Sequence, residues 1–528
     1  MFTTTELLGR FHTSRKSLRA TTATLRHKNL HQMEAVCDAW IAPARLAPGA
    51  AGPHSRQRIY TPKLTFLTFL SQTLTPGASC RAAVRQVQAY YQSQPVRRRV
   101  SPDDSPYCQA RARLDPNQLL RVRHELAQRM ERALPGDRTW GRPVKVVDGT
   151  CLSLPDTALN QAAYPQPDSQ TAGCGFPQLR LLGLFSLDTG ALLERTRGQY
   201  TTSEVQLFRK LWPHLVPGDL VLGDRIFGFY TALAQLPQRG IDGIFRLNAH
   251  RDQDFRRGRR LGHHDRLMTW FKPQKKPAGM APEEWALVPA QIVVREIKIK
   301  INDPKCRVKE VVLVTTLLDP QKWPRAKLAE LLRRRWQVEL NFDDLNTTLQ
   351  MDRLSCLKPA MIHRELEMHL IAYNLTRALM LEAALSCQVP LYRLSFKGTL
   401  DTVRQFSVSL VRVPVSHRHK RQAIYQEMLA TIAKDLVPER PGRHEPRCQK
   451  QRPKAYPFMT KPRRKMKDAP KSFRRKKEKK YSLIWRKLTL RSSMKKKDKP
   501  TTTSLSRRAF LPRQNGKFPP KNRSLFMT

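Results

Sequence analysis

Between residues 143 and 248 the chain alternates apolar runs with turns, and that alternation limits its fold more than any other feature. The runs are Val144-Lys-Val-Val-Asp-Gly-Thr-Cys-Leu-Ser-Leu154, Leu179-Arg-Leu-Leu-Gly-Leu-Phe-Ser-Leu187, Ala191-Leu-Leu-Glu-Arg-Thr-Arg197, Gly218-Asp-Leu-Val-Leu-Gly-Asp-Arg-Ile-Phe227 and Gly243-Ile-Phe-Arg-Leu-Asn248. Asp188-Thr-Gly190 turns the second run into the third, and helices are expected over residues 203–212 and 230–238. Strands mixed with helices in this way predict an α/β or α+β core, and α+β is the class expected here. Residues 249–325 interrupt it, first as a charged loop and then as two strands over 290–301 and 307–318, so a β-rich insertion is expected. Helices follow over 328–349 and 359–386.

Upstream, residues 1–138 read as helical. Residues 63–91 carry apolar positions at helical spacing and break at Thr75-Pro-Gly-Ala-Ser79, a helix–turn–helix pattern compatible with DNA contact. Asp115-Pro-Asn-Gln118 has the cap and proline of a helix start, and residues 46–53 read as a linker.

At 528 residues the chain should hold several domains, and 40% apolar content is enough for real cores. The net charge of +53 calls for a polyanionic partner, with nucleic acid ahead of an anionic membrane surface. Residues 438–528 hold 31 Lys and Arg against 5 Asp and Glu; such a tail is expected to stay disordered until a polyanion binds. No apolar run is long enough to span a bilayer, and the start lacks the plan of a secretory signal. Nine cysteines without a C-x-x-C pair indicate reduced thiols rather than a zinc ribbon or a disulfide framework.

Asp148 and Asp224 each close an apolar strand run, where a buried charge needs a partner such as a metal. On a helix over 328–349, Leu332, Arg335, Glu339 and Asn346 share one face beside an apolar stripe of Leu331, Val338, Phe342, Leu345 and Leu349. Alone, Arg335 and Glu339 read as an ordinary ion pair one turn apart. With the two aspartates, Glu339 completes a set of oxygen donors suited to Mg²⁺ ions that clamp a phosphodiester. Asp156, Asp168 and Asp188 read as turn residues, Asp343 could share the Glu339 face, and His263-His-Asp265 sits in a charged loop unsuited to zinc.

Val147-Asp-Gly-Thr150, Leu222-Gly-Asp-Arg225 and Arg334-Arg-Trp-Gln-Val-Glu-Leu340 resemble the three acidic motifs of DDE-type bacterial insertion-sequence transposases, family four. The separations of 76 and 115 residues between the acids fit that branch, whose glutamate motif is Y-x2-R-x3-E-x6-K. Arg335 and Glu339 match it, while Leu332 stands at the tyrosine and Asn346 at the lysine. Ser105-Pro-Tyr-Cys-Gln-Ala-Arg-Ala-Arg-Leu114 and Met368-His-Leu-Ile-Ala-Tyr-Asn-Leu375 are further family-like stretches.

The resemblance implies an RNase H-like core with Asp148, Asp224 and Glu339 as catalytic residues and ligands of two Mg²⁺ or Mn²⁺ ions. It also implies phosphate contacts from Arg335, Asn346 and Arg225. The expected plan is a DNA-binding region over 1–138, core over 139–248, insertion over 249–325, core again over 326–400, a helical and basic region over 401–468, and a basic low-order tail over 469–528. The expected activity is cut-and-paste transposition by a homodimer on terminal inverted repeats and target DNA, in the bacterial cytoplasm and nucleoid. A relic that only binds DNA, or an RNase H-like nuclease, are the alternatives. Relatives hold a flipped base with an aromatic of the insertion, which makes Trp270, Trp285 and Trp323 candidates beside their packing roles.

Overall fold

A computed structural model describes residues 41, 58–92, 98–134, 140–248, 250–251, 253–300, 310–335, 337–414, 416–438 and 458–467. Contacts divide the chain into one compact unit of Met1–Ser169 with Gly175–Arg443, and a second of Gln170–Cys174 with His444–Thr528. In the second, the described elements include a short helix, Arg463–Lys467. The basic tail over 469–528 lies outside the described residues.

In the first unit, α1 (Pro62–Thr73) and α2 (Cys80–Gln92) form the expected helix pair around a turn in which Gly77 has φ 74°. Every residue from Leu64 to Ser71 of α1 is buried, so α1 is a core helix. α2 buries Ala83, Val84 and Val87 and exposes Arg81 and Arg85. α3 (Ser105–Arg113) and α4 (Pro116–Arg132) follow, and the Asp115 carboxylate caps α4 by accepting from the Asn117 and Gln118 N–H groups.

The sheet begins with β1 (Val144–Ser153), β2 (Gln178–Ser186) and β3 (Leu192–Gln199), an antiparallel trio. β4 (Leu220–Gly223) pairs parallel with β1, and β5 (Asp242–Arg246) parallel with β4. The insertion supplies β6 (Arg259–Gly262), β7 (Asp265–Phe271), β8 (Gln291–Lys300) and β9 (Glu310–Thr315). β9 pairs antiparallel with β5, so all nine strands form one sheet in the order β3-β2-β1-β4-β5-β9-β8-β7-β6.

β6 and β7 correct the expectation of a charged loop. Arg259 and Arg260 of β6 are exposed, but the charges of β7 are buried against β8: Arg266 is paired with Glu296, and Arg295 holds Asp265 through two nitrogens at 2.8 and 2.6 Å. His263 and His264 form the β6–β7 turn, with His264 at φ 57°, and Asp265 is a buried partner of Arg295.

After the sheet come α5 (Arg325–Arg335) and α6 (Gln337–Asp343), then a π turn (Asp344–Thr348) and the long α7 (Pro359–Cys387). α8 (Phe396–Arg412) and α9 (Arg418–Lys434) complete the unit. α7 touches α1, α3, α4, α8 and α9, so the N-terminal and C-terminal helices share one core with the sheet. The Met368–Leu375 stretch anchors α7 to the β2–β3 hairpin. Tyr373 donates to the Gly190 carbonyl at 2.7 Å, and Asn374 both accepts from and donates to Leu192. Gly190 has φ 69°, and a side chain there would run into the Arg377 guanidinium.

Candidate active site

Alternation along β1 sends Val144 and Val146 into one core and Val147 into another on the opposite face. β4 does the same with Leu220 and Leu222 against Val221. The strands are in register at Val144↔Leu220 and Val146↔Leu222, and that register carried on by two residues sets Asp148 level with Asp224, which follows the last residue of β4. β4 and β5 pair at Leu222↔Ile244, which brings Arg246 level with Asp224, and its Nη1 lies 3.6 Å from Asp224 Oδ1.

Asp148 is therefore not at the end of its strand. The parallel pairing with β4 reaches Val146, but β2 continues to pair with β1 through Ser153, so β1 runs on past the aspartate. The face carrying Asp148 and Asp224 is the one packed by Leu331, Val338, Phe342, Leu345 and Leu349 of the glutamate-bearing segment. α5 touches β4 and α6 touches β1.

Glu339 of α6 is exposed and accepts from Arg335 Nη2 at 3.1 Å, while the Arg335 guanidinium is buried with its Nε unpaired. Arg335 and Glu339 both act electrostatically on Asp148. Burial pushes the Asp148 carboxyl up to about 6; the Gly149 N–H and Arg335 pull it down, while Glu339 and Glu204 push it up. The Gly149 N–H donates to Asp148 Oδ1 at 2.9 Å. Asp224 Oδ1 is a buried atom with no hydrogen bond.

The π turn carries Asn346 to the sheet, where its Nδ2 donates to Thr150 Oγ1 at 3.0 Å, two residues beyond Asp148 on the same face. Asn346 Oδ1 is buried without a hydrogen bond, and Leu332 packs against the core. π turns of this kind recur at functional sites. Arg225 is exposed in the turn after β4, which the Phe227 N–H closes onto the Asp224 carbonyl at 3.0 Å.

The site thus brings Asp148, Arg335 and Glu339 within electrostatic reach, with Asp224 level with Asp148. Among the described residues no three His, Cys, Asp or Glu side chains gather closely enough to hold a metal ion; Glu339 accepts from Arg335, and Arg246 lies 3.6 Å from Asp224. The donor set nevertheless fits a hard cation. It is all carboxylate oxygen, one buried oxygen lacks a hydrogen-bond donor, and burial disfavours the charge of Asp148 in the cation's absence.

Sequence reasoning missed Thr150, and it missed Glu204, whose carboxylate adds to the negative field at Asp148. Glu204 opens the helix Glu204–Arg209 through a capping box between Ser203 and Gln206, a signal that marks the helix but not its neighbour. It also missed Asp344, whose carboxyl burial pushes up to about 7 behind the π turn. Of the three tryptophans, Trp270 and Trp323 are buried, and Trp270 Nε1 donates to Glu296 at 2.9 Å beneath the Arg251 guanidinium. Trp285 is half-buried under Lys272, and the neighbouring Phe271 is 70% exposed.

Residues 139–375, which include all three acids, match the transposase DDE domain family. The chain is 26% identical over 366 residues to the transposase InsG for insertion sequence element IS4 of Escherichia coli (strain K12), covering 67% of this chain and 78% of that protein. A cryo-EM structure of a piggyBac transposase synaptic complex with hairpin DNA is similar over 80% of this chain and 86% of its own, at 11% identity and a TM-score of 0.38.

Proposed function

From the match of residues 139–375 to the transposase DDE domain and the similarity to the IS4 transposase, we propose that the chain is a DDE-type insertion-sequence transposase of family four, which cuts DNA at the terminal repeats of a mobile element and joins the freed 3′ ends to target DNA. The observation that carries this reading is the register of parallel β1 and β4, which sets Asp148 level with Asp224 just past the end of β4, on a face packed by the segment bearing Glu339. The strand order β3-β2-β1-β4-β5, antiparallel then parallel, supports an RNase H-like core.

Asp148, Asp224 and Glu339 would hold a pair of divalent cations, Mg²⁺ or Mn²⁺, which when bound supply charge neutralisation at the phosphodiester and activation of the attacking oxygen. The chain's own groups prepare that place. Arg335 keeps a buried guanidinium beside Asp148 and Glu339, offering a fork that matches a phosphate once Glu339 turns away. Thr150 and Asn346 add neutral polar groups beyond Asp148, and Arg225 presents an exposed cation after Asp224. Two copies acting on paired element ends complete the proposed assembly.

A second reading, a relic that binds DNA without cutting it, draws on Leu332 packed in the core and on Asn346 tied to Thr150. The test is incubation of the purified chain with Mg²⁺ and DNA carrying the ends that border its gene. Nicked and excised products are expected from the native chain. Asp148→Ala, Asp224→Ala and Glu339→Gln should each bring cleavage to background while salt-sensitive DNA binding persists. Cleavage surviving all three changes would remove these acids from the chemistry, and binding with no products from the native chain would favour the relic.

A further inference from the structure

Where β3 meets α4 and α7, buried charge is matched as far as Arg195. Arg123 of α4 and Arg195 of β3 share Glu367 of α7. Arg123 also donates to Glu194 at 2.7 Å, and Glu194 lies 2.7 Å from His124. Two residues along β3, Arg197 has no carboxylate among the described residues. Its Nη2 lies 3.3 Å from Nδ1 of His363 on α7, and Nε2 of that ring lies 2.7 Å from the Tyr164 hydroxyl.

A guanidinium only donates, so Nδ1 must accept, and the ring hydrogen sits on Nε2 and is donated to the tyrosine oxygen. The hydroxyl hydrogen of Tyr164 is thereby left to donate elsewhere. Burial, then the charges of Arg197 and Arg195, push His363 down to about 4, so the ring is neutral near pH 7 and takes no charge from Arg197. A half-exposed guanidinium with no carboxylate partner among the described residues and a spare hydroxyl donor, joined through His363, match an anion.

Register locates that anion. Thr150 pairs with Leu181, and Leu181 with Arg197, and Leu181 lies in the core on the Asp148 face. Cross-strand partners share a face, so Arg197 stands two strand spacings from Thr150, about 10 Å. Asp148 and Asp224 lie two residues back along the strands and up to one strand further off, which makes the separation from the acids about 14 Å, or about four nucleotides along a DNA strand.

We propose that Arg197, with the Tyr164 hydroxyl aimed by His363, is a phosphate site that holds the DNA strand about four nucleotides from the bond cut at Asp148 and Asp224. The proposal rests on the reading of the chain as a DNA-cutting enzyme. The test uses the full chain and a labelled duplex carrying the DNA end that borders its gene, with affinity measured across a salt series. Arg197→Ala should lower the slope of log affinity against log salt by about 0.9 and weaken binding about tenfold at fixed salt. Arg197→Lys should restore the slope but not the full affinity, since the fork is lost. Tyr164→Phe keeps the ring packed and should weaken binding a few-fold at unchanged slope.

An Arg197→Ala protein with native melting temperature and unchanged slope overturns the site. If Arg197→Ala melts early, Tyr164→Phe decides, and unchanged affinity there overturns it. A native chain that cuts DNA while Arg197→Ala keeps the full slope sinks the phosphate site alone. A native chain whose slope depends on Arg197 but which never cuts sinks the cutting reading and leaves the phosphate site standing.

Discussion

The insertion and the catalytic face both carry charge on the same sheet, but they treat it differently. In the insertion, Arg295 and Asp265 are buried and close on each other through two hydrogen bonds, and Arg295 Nη1 also donates to the Trp323 carbonyl at 2.8 Å. Glu296 is saturated by Arg266 and Trp270. At the catalytic face the charges are half-open: Glu339 is exposed, Arg335 Nε and Asp224 Oδ1 are unpaired, and Asp148 is opposed by its own burial. Closed pairs order a fold, whereas groups left short of partners are kept for something that arrives from outside.

The largest expected effect tests the closed side. Arg295→Met leaves Asp265 buried without its partner and should cost about 3–5 kcal/mol, measured by denaturant unfolding. Adding Asp265→Leu should recover most of that loss. A loss below about 1 kcal/mol for Arg295→Met would mean that the insertion's ion pairs are no more closed than the catalytic ones.

A smaller effect of opposite sign belongs to the catalytic segment. Burial holds Asp344 at about 7, above its ordinary value, with Arg377 only partly offsetting it. Its ionisation therefore favours the unfolded chain, a penalty that is full above about pH 7 and vanishes below about pH 4. Asp344→Asn should stabilise the protein by about 1–3 kcal/mol at pH 8, and the gain should fade as pH falls through that window. A gain that stays the same at pH 4 would break the assignment to ionisation.

The smallest expected effect concerns Asn346. Asn346→Lys gives up the bond to Thr150 and adds a cation beside Asp148; cleavage should rise by up to about tenfold in the same DNA assay. No change, or a loss, would mean that the Thr150–Asn346 bond serves the site better than charge does.

The two aspartates were visible for a local reason, since each follows an apolar run that had to be a strand, and Arg335 and Glu339 act on Asp148 from the segment packed on that face. The helix over 230–238 and the start of α4 were legible through turns and caps. β6 and β7 were not, because Arg266 and Asp265 look like solvent residues until their cross-strand partners are known. The π turn left no trace, since Leu345 and Leu349 keep ordinary helical spacing. Arg197 and His363 meet across 166 residues of chain, and Asn346 and Thr150 across 196, distances at which no local pattern can announce a contact.

Because β9 is bonded to β5, the insertion is not an appendage but a continuation of the catalytic ladder. From β4 to β7 there are four strand steps, about 19 Å, set by backbone hydrogen bonds rather than by a hinge. The sheet is then a ruler with Asp224 at one mark and the outer strands at another. DNA gripped by both would be measured against it in a fixed count of about six nucleotides.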